Sequence, residues 1–177
     1  MRILPAAAAM AAVYAIAFWR LGGWSINAPF PLIAAFGIVL LWASVEDLAT
    51  QSIPLTALVA ATGLGLSLVL ALSFPLWLHV ASALAYGAGT YGLGQLISHY
   101  RGALALGLAD VWLIALAALL LGPLEPITVI LIASLAAIVW LGLRRLVSKA
   151  PLAAPLPFGP CLATAIRLVF LEPGLDV

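Results

Sequence analysis

Charged side chains are scarce in this sequence of 177 residues: seven Lys or Arg and six Asp or Glu together make up 7% of the chain. Hydrophobic residues account for 66%, more than a water-soluble domain of this size can bury, because its surface must remain hydrated. The formal net charge is only +1, and no basic cluster is large enough to indicate nucleic-acid binding. Long apolar runs separated by short polar breaks instead predict a helical protein that crosses a membrane several times.

Cysteine and histidine are also rare. Cys161 is the single cysteine of the sequence, which excludes an intrachain disulfide and a CxxC pair for zinc. The two histidines, His79 and His99, are too few and too scattered for a metal site. We therefore expect neither a metal ion nor another cofactor.

The apolar runs divide the sequence into seven predicted membrane helices, since about 20 apolar residues are needed to cross a bilayer. The first run, MRILPAAAAMAAVYAIAFW, is longer than a typical signal-peptide core and more spans follow, so we interpret it as a membrane helix. The predicted fold is an all-α bundle of about six or seven transmembrane helices, with residues 1–177 as a single membrane domain. The helices are predicted at residues 3–19, 30–46, 54–73, 76–98, 107–122, 126–143 and 157–172.

Lys and Arg in the short loops predict the orientation of the bundle. With seven spans, the N-terminus and the loops near residues 50, 100 and 150 share one side, whereas the loops of the other side carry only Arg20. Arg167 falls within the last predicted helix, where we expect it to extend to the outer edge or to pair with Glu172. The first side is therefore predicted to be cytoplasmic; its basic residues are Arg2, Arg101, Arg144, Arg145 and Lys149.

Two acidic residues lie at the cytoplasmic ends of predicted helices. Asp47 closes the second predicted helix and Asp110 opens the fifth, so both are expected at the same depth. Acids at such positions usually face the interior of a bundle and mark a functional path or a pair. Two carboxylates within hydrogen-bonding reach would share a proton, so that one activates water while the other binds a scissile carbonyl. Spacing alone does not show that the two meet, and helix capping or a proton or ion path are alternatives.

The residues around both acids match a known pattern. In EDLATQSIP, Asp47 is followed by Ile53 and Pro54, and RGALALGLADVW places Gly107 three residues before Asp110. The third stretch is LPFGPCLATA, with Phe158, Gly159 and Pro160. These stretches, in this order, resemble the type IV prepilin peptidases, in a short form without the N-terminal cysteine-containing region of longer members. The methyltransferase activity associated with that region is not carried over.

The resemblance covers residues from about 30 to 172 and implies a function. The protein would be an aspartic endopeptidase of the bacterial inner membrane, with Asp47 and Asp110 sharing the acid and base roles. Its partner would be a pilin-like precursor with a short basic leader and a hydrophobic N-terminal helix. That helix would lie in the lipid bilayer, so that the cleavage junction reaches the cytoplasmic edge.

Three positions depart from the pattern of the family. Ala109 replaces the second glycine of Gly-x-Gly-Asp, Trp112 replaces a common Lys, and Leu55 replaces a common Asn. Alanine would be strained at residue 109 if that position required a positive φ. Two alternative functions remain: an inactive relative that acts in pilus or secretion assembly, and a small transporter of protons or cations.

Overall fold

The computed structural model describes residues 30–102, 106–148 and 158–170, which form six helices and no strand. The predicted all-α fold is thereby confirmed. The predicted helix at 3–19 lies outside the described residues. The helices are α1 (Phe30–Thr50), α2 (Leu55–Ala71), α3 (Leu76–Arg101), α4 (Leu108–Leu121), α5 (Glu125–Ser148) and α6 (Gly159–Phe170).

Proline and glycine determine several of the helix ends. Pro54, with φ −65°, directly precedes α2, and Pro75 precedes α3. Proline suits a helix start, because its missing N–H and fixed φ disturb no hydrogen bond there. Gly102 ends α3 in the left-handed conformation, with φ +66°, and its N–H bonds to the carbonyl of Ser98. This is the helix end that glycine favours, since it has no Cβ to clash.

Three helices continue further than the sequence pattern predicted. The polar segments at the ends of α1, α3 and α5 were expected to be loops, yet these helices extend to Thr50, Arg101 and Ser148. Polar and charged residues with good helix propensity do not terminate a helix. Helix α1 instead ends where Gln51 takes the left-handed conformation, with φ 57°. Asp47 consequently lies inside the last turn of α1 rather than at its end.

Helix α4 lies at the centre of the bundle, in contact with α2, α3, α5 and α6. Most of its side chains from Val111 to Leu121 are buried, as expected for a helix that is apolar on all sides. Its first residue, Leu108, is exposed. Helix α1 packs against α2 and α6, so α6 is held between α1, α4 and α5.

Arg167 is buried, and the expectation that it extends to the outer edge is wrong. Its side chain is 2% exposed, and its guanidinium donates a hydrogen bond of 2.8 Å to the carbonyl oxygen of Ile33. The guanidinium lies against Gly37 of α1, where the missing side chain leaves room for it. Glu172, the other expected partner, lies outside the described residues.

Two helices are long and apolar enough to cross a membrane, by length and composition, among the described residues. They are Phe30–Thr50 and the Glu125–Leu143 part of α5. Helices α2, α4 and α6 are apolar but shorter. The 14 residues of α4 correspond to about 21 Å at 1.5 Å per residue, against about 30 Å for a bilayer core.

Candidate active site

Asp47 lies where the end of α1 meets the beginning of α6. Its side chain is 7% exposed, and its carboxylate accepts a hydrogen bond from the backbone N–H of Gly159, the first residue of α6. The N-terminus of a helix favours a negative charge, because its first N–H groups are free to donate and the helix dipole is positive there. Helix α6 therefore provides the binding position for this carboxylate.

Gly159 is in close contact with two of the residues predicted for the site. A Cβ atom at this position would lie 2.7 Å from Oδ2 of Asp47 and 2.7 Å from Cδ1 of Ile53. Real Cβ atoms do not approach other atoms this closely, so a larger residue here would require Asp47, Ile53 or the beginning of α6 to move. The sequence-predicted residues Asp47, Ile53 and Gly159 thus come together, although Gly159 is more than 100 positions away in sequence.

Asp110 is the third residue of α4 and is partly buried. Its carboxylate accepts a hydrogen bond from the backbone N–H of Gly107, which precedes the helix. This is one half of a capping box, in which an acceptor in the first turn reaches back to the residue before the helix; Gly107 has no side chain to form the other half. A Cβ atom on Gly107 would lie 3.2 Å from Oδ2 of Asp110, so glycine leaves space for the carboxylate.

The two carboxylates lie close enough for the charge of Asp47 to act on Asp110. Both charges also act on the thiol of Cys161 in the first turns of α6. The ends of three helices therefore bring the two acids into one region of the molecule: the C-terminus of α1 and the N-termini of α4 and α6. Sequence reasoning did not assign Cys161 to the site, although it directly follows the motif residues Phe158, Gly159 and Pro160.

The remaining predicted residues mainly determine where helices begin. Pro54 precedes α2. The carbonyl of Phe158 accepts a hydrogen bond from the N–H of Leu162 in the first turn of α6. Pro160 is buried in that same turn, where proline is well tolerated. At these positions the three residues help to determine where α2 and α6 begin.

Ala109 is unstrained. It is the second residue of α4, and the non-glycine residues with positive φ in the described part of the chain are Gln51 and Ser73. Residue 109 therefore does not have the positive φ at which alanine would be strained. Replacement of the family's second glycine by Ala109 leaves the beginning of α4 intact.

We expect Ala109→Gly to give no gain in peptidase activity. Glycine is less favourable than alanine within a helix by about 0.8–1.0 kcal/mol, so the variant should be slightly less stable. The midpoint of thermal unfolding in detergent and the rate of precursor cleavage would be measured together. A several-fold increase in cleavage would show instead that Ala109 impairs the site.

The two other departures lie away from the hydrogen bonds of the acids. Trp112 donates a hydrogen bond of 2.9 Å from Nε1 to Oγ1 of Thr62, which connects α4 to α2. Two helical positions separate Trp112 from Asp110, so their side chains leave α4 on nearly opposite sides. Leu55 is exposed at the beginning of α2. Among the described residues there is no group of three or more His, Cys, Asp or Glu that could hold a metal ion.

The described residues form a helical bundle in which Asp47 of α1 lies close enough to Asp110 of α4 for its charge to act there. The model of the type IV leader peptidase family matches residues 34–142, more than half of the chain. The chain therefore belongs to the type IV leader peptidase family, which confirms the resemblance seen in the sequence. It is a peptidase-type hydrolase by family, and the family together with the two apolar helices indicates a membrane protein.

The matched range contains two of the three motif stretches, those around Asp47 and Asp110, and ends before Phe158. The third stretch is connected to the first by the contacts of Gly159 with Asp47 and Ile53. Comparisons with curated proteins and with solved structures gave no match.

Proposed function

We propose that this protein is an aspartic endopeptidase that removes the leader peptide of type IV prepilin-like precursors. Asp47 and Asp110 would be its catalytic pair. The observation that carries the proposal is the proximity of these two acids, which come from separate helices of a leader peptidase family member and interact through their charges. Acids placed only as helix caps would have no need to lie where the charge of one acts on the other.

The proposed reaction uses one proton shared by the two carboxylates. The ionised carboxylate removes a proton from a water molecule while the water oxygen attacks the scissile carbonyl carbon. The protonated carboxylic acid donates its proton to the carbonyl oxygen, which gives a neutral tetrahedral intermediate. Collapse of this intermediate breaks the C–N bond and a proton passes to the leaving nitrogen, so that an acid and an amine are released. Either Asp47 or Asp110 can begin as the base.

Backbone N–H groups support this role by orienting the two carboxylates. Gly159 donates to Asp47 and Gly107 donates to Asp110. Each of these bonds occupies one acceptor position of a carboxylate, which has about four. The remaining positions are available for water and for the scissile carbonyl. Carboxylates fixed in this way need little reorganisation when the reaction begins.

The proposed substrate is a precursor with a short basic leader followed by an apolar helix. That helix would lie in the bilayer beside this multi-pass protein, and the junction would meet the acids at the cytoplasmic face of the inner membrane. The distribution of basic residues supports this orientation, because α3 and α5 end with Arg101 and with Arg144 and Arg145 on the side where α1 ends. Residues 1–177 would act as one peptidase domain.

Co-expression with a pilin-like precursor would test the proposal directly. In bacterial cells without another prepilin peptidase, the wild-type protein is expected to shorten the precursor by its leader, as measured by mass spectrometry of the product. The double variant Asp47→Asn/Asp110→Asn is the inactive control. Uncleaved precursor beside well-folded wild-type protein would contradict the proposal and favour the inactive relative or the transporter, which proton or cation flux into vesicles would separate.

A further inference from the structure

Helix α6 is attached to α1 at two places. At its beginning, Gly159 donates its backbone N–H to the carboxylate of Asp47. Eight residues later, Arg167 donates a hydrogen bond of 2.8 Å to the carbonyl oxygen of Ile33. At 1.5 Å per residue, the two places are about 12 Å apart along α6. One attachment therefore belongs to the candidate active site, and the other lies two turns away from it.

The second attachment is a buried charge in a close-fitting position. Arg167 is 2% exposed. A Cβ atom on Gly37 would lie 2.6 Å from Nη1 of Arg167 and 2.7 Å from its Cζ, so the guanidinium rests directly on the backbone of α1. Helix α6 can therefore neither slide along α1 nor rotate against it without moving this group out of the space that Gly37 leaves.

Stability alone is a poor explanation for this arginine. Removing a charged group from water is unfavourable, and replacing buried charged groups by well-packed apolar side chains often leaves a protein as stable or makes it more stable. Ionisable residues within a membrane domain are therefore rare, and they usually serve a function. The hydrogen bond to Ile33 is directional, so it defines one position of α6 relative to α1. An apolar side chain would not define this position.

We propose that Arg167 is a positioning residue for the peptidase. Its bond to Ile33 and its contact with Gly37 set the register of α6 on α1, and this register determines where the N–H of Gly159 meets Asp47. A helix is stiff over two turns, so a shift at Arg167 also moves Gly159. Gly159 has no free space, because it lies between Asp47 and Ile53. The reaction that Arg167 serves is the one proposed above, and this inference rests on that function.

Four single variants test the inference in the full-length protein in detergent or lipid. Arg167→Met removes the charge but keeps much of the side-chain volume. Arg167→Lys keeps the charge but lacks the planar guanidinium group. Gly37→Ala keeps Arg167 but displaces its guanidinium. Val169→Ala is the matched control, since Val169 is a buried residue of the same helix, 2% exposed, whose removal affects packing alone. Each rate is divided by the amount of folded protein.

We expect Arg167→Met and Gly37→Ala to lower kcat by about 100-fold, the effect of a misplacement of about 1 Å at a reacting group. KM should change little, because Arg167 is buried and has almost no exposed surface for the substrate to contact. Both variants should also alter the pH dependence of kcat, since the bond from Gly159 to Asp47 changes. Arg167→Lys should recover part of the rate. Val169→Ala should lower thermal stability and leave kcat and its pH dependence unchanged.

Hydrogen exchange gives a readout that does not depend on activity. The peptide that contains Gly159 should exchange faster in Arg167→Met and Gly37→Ala than in the wild type, and at the wild-type rate in Val169→Ala. Wild-type kcat, pH dependence and exchange in Gly37→Ala would overturn the inference, even if Arg167→Met failed to fold. If the wild type itself cleaved no precursor, the proposed function would fail, whereas the exchange rates would still show whether Arg167 positions α6. The two failures are thereby distinguished.

Discussion

Asp47→Asn and Asp110→Asn are each expected to abolish leader cleavage while the protein still folds and inserts. Asparagine has the shape of aspartate, and its side-chain oxygen can still accept the N–H of Gly159 or of Gly107. It can neither take up nor release the shared proton. General acid–base catalysis contributes about 10²–10⁴-fold to a rate, so cleavage by either variant should fall by at least this factor.

The single and double variants should be nearly equal in activity, because the two carboxylates act as one unit and the loss of either member removes the mechanism. Precursor and product would be quantified by mass spectrometry at matched levels of inserted protein. Glu46→Gln is the control, since it removes a carboxylate next to Asp47 in sequence that lies outside the pair. Cleavage that persisted in either Asp→Asn variant would be incompatible with the aspartic mechanism.

The sequence predicted the helices of the described regions well because apolar runs and their breakers are local features. Pro54 and Pro75 are found where α2 and α3 begin, and Gly102 is found where α3 ends. The errors lie at helix ends marked by polarity alone, as at Thr50. A polar residue indicates that the chain has reached water or a headgroup region, which does not require the helix to stop.

The contacts between helices were beyond prediction from the sequence. The motifs indicated that Asp47, Asp110 and Gly159 belong to one site. They did not indicate that the N–H of Gly159 donates a hydrogen bond to Asp47. Which face of a helix meets which neighbour depends on the packing of the whole bundle. The same reason explains the error over Arg167, because an apolar helix of this length gives no indication that Gly37 leaves space for a guanidinium.

Alanine substitutions of the glycines at the site are expected to lower peptidase activity. Gly159→Ala should reduce cleavage by about 100-fold, because its Cβ would meet both Oδ2 of Asp47 and Cδ1 of Ile53 at 2.7 Å. One of these side chains, or the beginning of α6, must then move by a distance that is critical for a reacting group. Overpacking of this kind costs about 1–3 kcal/mol, so the midpoint of thermal unfolding should also fall.

A graded series of glycine variants separates this effect from a general sensitivity to alanine. A Cβ on Gly89 of α3 meets nothing within 4 Å, so Gly89→Ala should keep wild-type cleavage and gain about 0.5–1 kcal/mol of stability, as expected within a helix. Gly107→Ala should be intermediate, since its Cβ would lie 3.2 Å from Oδ2 of Asp110 and this carboxylate can rotate away. Cleavage and unfolding midpoints would be measured for all three variants. Equal losses at Gly159 and Gly89, or wild-type cleavage by Gly159→Ala, would show that the close fit around Asp47 has no part in the reaction.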